Sequence, residues 1–132
     1  MDIKEMVDKA FENKTLQEIR TAATSALQGV SDRGAEVLNS VLHAKTVQDL
    51  AENKYVKNAQ AIVAGSIQNL KDAVDKAWEN KSLQEIANAG LDALQGISPE
   101  GAAKLREVLH VTTVQDLAEN KHVKNAQSIN KG

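Results

Sequence analysis

Displacing the sequence by 67 positions lays residues 1–65 over residues 68–132, and 40 of the 65 pairs are then identical. That is far beyond chance, so the chain is a tandem duplication, and whatever one copy folds into the other must accommodate as well. The longest shared block runs Thr46-Val47-Gln48-Asp49-Leu50-Ala51-Glu52-Asn53-Lys54 against Thr113 to Lys121. After one change, Val56 to Gln60 matches Val123 to Gln127. The expected units are 1–65 and 66–132, each large enough for a compact helical domain.

The pattern inside each copy is helical. Ile3, Met6, Val7, Ala10 and Phe11 recur at the spacing of one buried stripe, which predicts a first helix ending at Asn13. Thr15-Leu16-Gln17-Glu18, repeated as Ser82-Leu83-Gln84-Glu85, is a capping box: the hydroxyl accepts the N–H three residues on, and the Glu reaches back. It opens a second helix that turns Leu16, Ile19, Ala22, Ala23, Ala26 and Leu27 inward and stops at Gly29. A third helix runs from about Asp32 to Leu42 over Ala35, Leu38, Val41 and Leu42. A brief fourth starts at the Thr46 cap with Val47, Leu50 and Ala51 inside, and a fifth buries Val56, Ala59, Ile62 and Val63. Phe11, Tyr55 and Trp78 are the only aromatic residues, which leaves strands little of the material they favour. The fold class is all-α, with five short helices in each copy.

Between the second and third helices lies Leu27-Gln28-Gly29-Val30-Ser31-Asp32-Arg33-Gly34-Ala35, copied as Leu94-Gln95-Gly96-Ile97-Ser98-Pro99-Glu100-Gly101-Ala102. Glycine at 29 and 96 is free to take the positive φ that ends a helix, and Ser31 and Ser98 accept a backbone N–H to begin the next. Pro99 falls at the first helical position, where its missing N–H has no partner to lose. Glu-Asn-Lys occurs at 12, 52, 79 and 119, each at an expected helix end, and predicts a left-handed Asn with Lys beside the negative end of the helix dipole. His43 and His110 stand at the end of the third helix, where a cation is favoured in the same way. No linker composition separates the copies. Val56, Ala59, Val63, Ile67, Leu70, Val74 and Trp78 continue one apolar stripe across the join, which predicts a helical connection with Gly65-Ser66 as the place for any bend or break.

The hairpin, Leu27-Gln28-Gly29-Val30-Ser31 followed by Ala35 and Leu38, resembles the helix-hairpin-helix motif, as does Leu94-Gln95-Gly96-Ile97-Ser98 followed by Ala102 and Leu105. Lys45-Thr46-Val47-Gln48-Asp49-Leu50-Ala51, with Thr112 to Ala118, is similar to the helix that follows such hairpins. The resemblance implies two tandem SAM-like five-helix units. In that family, hairpin N–H groups hold a DNA phosphate, with a second glycine two places after the first. Here Ser31 and Ser98 stand in that place, and Asp32 and Glu100 add negative charge beside it. The candidate contacts to a phosphate or a partner are Gly29, Ser31, Arg33, Lys54 and Lys57 in the first copy. In the second they are Gly96, Ser98, Lys121 and Lys124. His122 replaces Tyr55, which argues against a shared role at that position. Phe11 and Trp78 are expected as core anchors.

The 16 basic and 18 acidic residues are mixed along the chain, giving a formal charge of -2 and no field of one sign to attract nucleic acid or an anionic membrane. Without cysteine there is no disulfide scaffold, thiolate metal site or cysteine nucleophile. No phosphate-binding loop, G-x-S-x-G or H-E-x-x-H is present, and no His has a second ligand at helical spacing. The expectation is a non-enzyme with no catalytic residue, metal, cofactor or small-molecule substrate. The charged start Met1-Asp2-Ile3-Lys4-Glu5 and the lack of a long apolar run lead to a cytoplasmic expectation with no membrane partner. Binding to a protein partner or to itself is the leading function, and weak sequence-independent binding of duplex DNA through the hairpins is the alternative.

Overall fold

The structure is a computed structural model that describes residues 2–132, and it is all-helical. The first copy contributes α1 (Ile3–Met6), α2 (Leu16–Arg20), α3 (Asp32–Val37), which a π-helical turn (Leu38–Leu42) continues, α4 (Val47–Ala51) and α5 (Lys54–Ala64). The second contributes α6 (Leu70–Ala73), α7 (Leu83–Ala87), α8 (Pro99–Leu109), α9 (Val114–Ala118) and α10 (Lys121–Lys131). The capping boxes at Thr15 and Ser82 form as the sequence requires, and the Thr46 cap and its copy Thr113 are full boxes as well: each hydroxyl accepts the N3 amide, and the N3 carboxylate accepts the cap N–H in return. Leu38 and Leu105, on the expected stripe of the third helix, are both fully buried.

The first two helices are shorter than their apolar stripes. After α1 the chain becomes extended at Val7, whose neighbours pair with the end of the second helical region: Asp8 N–H donates to Ala26 O at 2.8 Å and Gln28 N–H to Met6 O at 2.9 Å. A 3-10 turn, Lys9–Phe11, follows. This bridge buries Val7 and Leu27 together, so tertiary pairing overrides the local helical preference. Beyond α2, Ala23 is extended and bridged to Thr46, and Val47 N–H reaches Ala22 O at 3.0 Å. The second copy repeats both bridges, at Val74 with Leu94 and Gly90 with Thr113. Phe11 and Trp78 are half-buried and not core anchors.

Two expected helix ends differ in mechanism. None of the Glu-Asn-Lys asparagines is left-handed; among the described residues the left-handed ones other than glycine are His43, after Leu42, and His110, after Leu109, which close the third helical region of each copy at φ 61° and 60°. Asn53 instead turns inward and donates from Nδ2 to Leu42 O at 2.8 Å, as Asn120 does to Leu109 O at 3.4 Å. These amides tie the link after the fourth helix to the carbonyl end of the third.

The copies are not joined by a helix. Gly65 takes φ +75°, its N–H donates to Ile62 O at 3.2 Å, and Ser66 N–H donates to Ala61 O at 2.9 Å. That double return is the Schellman termination, which satisfies the last carbonyls of α5 and stops it before Ile67.

The compact units are Met1–Asn53 with Lys121–Gly132, and Lys54–Asn120, and they do not coincide with the sequence copies 1–65 and 66–132. In unit 1, α10 packs on α4 and α2, and Gln127 Nε2 donates to Ala51 O at 3.4 Å. In unit 2, α5 packs on α9 and α7, and Gln60 Nε2 donates to Ala118 O at 3.2 Å. Each fifth helix therefore closes the unit built from the first four helices of the other copy. The two cores are not equal. Thr24 is fully buried in unit 1 and its hydroxyl finds no hydrogen-bond partner, a cost of about 1–3 kcal/mol that unit 2 avoids with Leu91.

Candidate interaction site at the hairpins

The hairpin glycines have positive φ, 92° at Gly29 and 101° at Gly96, as the sequence predicts, but they close a turn after an extended Leu and do not end a helix. Val30 N–H donates to Leu27 O at 3.1 Å, and Ile97 N–H to Leu94 O at 3.2 Å. Glycine is required here for a second reason, the close approach of a ring. A Cβ at Gly29 would stand 2.8 Å from His122 Cε1, and one at Gly96 would stand 2.6 Å from Tyr55 Oη. His122 and Tyr55 are buried, so the position at which the copies differ has one shared role after all. Each is a flat ring at the start of the fifth helix, seated on a hairpin. That both residues are planar rings at equivalent positions was the signal available in the sequence. It lacked meaning until the helix was known to lie against the opposite hairpin.

Ser31 and Ser98 act as N-caps, accepting the N–H of Gly34 and of Gly101 at 3.0 Å each. Asp32 and Glu100 are exposed in the first turn that follows. Arg33 is exposed on α3, and Lys104 lies 3.5 Å from Glu100 as an exposed i,i+4 pair of small energetic weight. The exchange of fifth helices regroups the lysines. Lys121 and Lys124 belong to the unit that holds Gly29, Ser31 and Arg33, while Lys54 and Lys57 belong to the unit that holds Gly96 and Ser98. All four are exposed, and Lys54 Nζ stands 5.2 Å from the centroid of the Tyr55 ring.

Perturbed carboxylates lie at caps, away from the hairpins. Backbone N–H bonds from Thr15 and Ser82 hold Glu18 and Glu85 below the ordinary range. Asp116 is lowered from 3.8 by the N–H groups of Thr112 and Thr113. A lowered carboxylate contributes stability that is fully present above its unfolded value and is lost as pH falls through its folded value. Unit 2 is therefore expected to lose stability below about pH 4. A carbonyl-detected NMR titration should place the Asp116 midpoint below 3.8. Asp116→Asn, which still accepts the cap bond but cannot titrate, should flatten that part of the acid limb.

Unit 2 has two open depressions. One of about 300 Å³ is bordered by the end of α5 and by α7, with Gln84 and Gln115 as its polar walls and no ionisable group. Another of about 250 Å³ beside α8 carries Asp92 and Arg106. Among the described residues no three His, Cys, Asp or Glu side chains gather at metal-binding distance, and no helix is long and apolar enough to cross a membrane. Comparisons with protein-family models, curated proteins and solved structures find no match.

Proposed function

We propose that the protein is a non-enzymatic binding module that works through protein–protein contact, with helix-hairpin-helix, SAM-like units as its framework. The observation that carries this reading is the seating of His122 on Gly29 and Tyr55 on Gly96. The close approach that a hairpin glycine allows is used there for packing a ring of the protein itself. Asp32 and Glu100 beside the serine caps oppose a phosphate, and mixed surface charge suits a protein partner better than a polyanion. The alternative, a phosphate clip on duplex DNA, has in its favour the lysine pair brought into each hairpin's unit.

Salt-dependent DNA titration together with a nuclease-treated pull-down separates the two. At about 0.15 M salt, duplex DNA is expected to bind no better than roughly 0.1 mM, the weak non-specific range. The variant with Lys54, Lys57, Lys121 and Lys124 replaced by Ala should retain its protein partner. Micromolar binding to duplex DNA, abolished in that variant and falling steeply with salt, would replace the protein-binding reading with the DNA one.

A further inference from the structure

α5 and α10 are near copies of one helix, and their seats are near copies as well. α5 lies on α9 and α10 on α4, and both of those short helices read Val-Gln-Asp-Leu-Ala. The chain arrives at the two seats by different routes. α5 follows directly on Asn53 of unit 1 yet is seated in unit 2, and α10 follows on Asn120 of unit 2 yet is seated in unit 1. The seat a fifth helix occupies is thus not the one that its preceding helices form. From this we infer that the protein self-assembles by exchanging α10: the helix of one copy takes the unit 1 seat of a second copy, and reciprocal exchange gives a two-fold dimer. The inference rests on the self-interaction form of the proposed function and supplies its partner and its contact.

The asymmetry between the units says which helix moves. Where α5 carries Tyr55 and Val63, α10 carries His122 and Asn130, so α10 has less apolar surface to hold it. The core of unit 1 contains the unpartnered Thr24 hydroxyl and the small Ala44, where unit 2 has Leu91 and Val111. Unit 1 is the one that opens. Closed and exchanged forms contain the same seat contacts, so concentration sets their balance. A helix on a short tether is at an effective concentration of about 1 mM, and exchange becomes comparable with closure as the protein approaches that value.

The chain has no cysteine, which makes a reporter pair easy to read. Asn130 Nδ2 donates to Glu52 Oε2 at 3.3 Å in an exposed contact, so the reporters are Glu52→Cys in one chain and Asn130→Cys in another. The two single variants are unfolded, mixed, refolded together at about 10 µM to about 1 mM and treated with a short bismaleimide. Expected is an E52C chain linked to an N130C chain, its yield rising roughly in proportion to concentration, while the E52C/N130C double variant links within one chain at the dilute end. Light scattering of the unmodified chain, refolded over the same range, should show the dimer growing in parallel. Intramolecular linking by the double variant, with no link between the mixed singles at any concentration, overturns the exchange. So does an unmodified chain that stays monomeric throughout. A dimer that forms without the E52C–N130C link overturns exchange and leaves self-interaction through another face. A protein partner retained in the pull-down by an unvarying monomer overturns exchange and leaves the proposed function standing.

Discussion

A chain ending at Asn120 should lose the structure of unit 1 and keep that of unit 2. Removing α10 strips Val123, Ala126 and Ile129, each fully buried, from the seat formed by α4 and α2. Burial of Val and Ile side chains stabilises by about 1.5–3 kcal/mol each, so the loss is about 4–7 kcal/mol with Ala126 and the exposed seat included. That matches or exceeds what a unit of this size has in reserve, about 5 kcal/mol. Amide exchange makes the outcome visible by residue: protection should vanish over α2 to α4 and persist over α5 to α9. The repeat boundary alone predicts the reverse, damage confined to residues 66–120, and that pattern would show that the fifth helices are not exchanged.

Replacing Gly29 or Gly96 with Ala should cost about 2–6 kcal/mol, each in its own unit. A non-glycine residue held at φ 92° or 101° is strained by about 1–3 kcal/mol. The new methyl also meets a buried ring, at 2.8 Å from His122 or 2.6 Å from Tyr55, which adds overpacking of about 1–3 kcal/mol unless the ring shifts. A double-mutant cycle separates the two contributions. In Gly29→Ala with His122→Ala the contact part should disappear and the backbone part remain, giving a coupling energy well above half a kcal/mol. Denaturant midpoints for the two units, followed separately by NMR, supply the measurement. Strict additivity of Gly29→Ala and His122→Ala would mean that α10 does not bear on this hairpin.

Short-range features were legible in the sequence because their causes lie within a few residues. Thr15, Thr46, Ser82 and Thr113 each meet their acidic partner three positions on, Ser31 and Ser98 meet the N–H of Gly34 and Gly101, and Gly65 marks where α5 ends. The stripe through Leu38 and Leu105 was also readable, since helical spacing alone puts it on one face. Val7 was not. A β-branched residue on an apolar stripe satisfies a helix and a short antiparallel bridge equally, and the distant backbone groups of Ala26 and Gln28 decided for the bridge. Tertiary structure also decided which unit each fifth helix completes. Val56, Ala59 and Ile62 present the same face as Val123, Ala126 and Ile129, and both seats read alike, so the local pattern is degenerate between closing a copy on itself and closing the other. Because both seats accept the same face, only the folded chain shows that α5 closes the unit of the second copy's first four helices and α10 that of the first copy's.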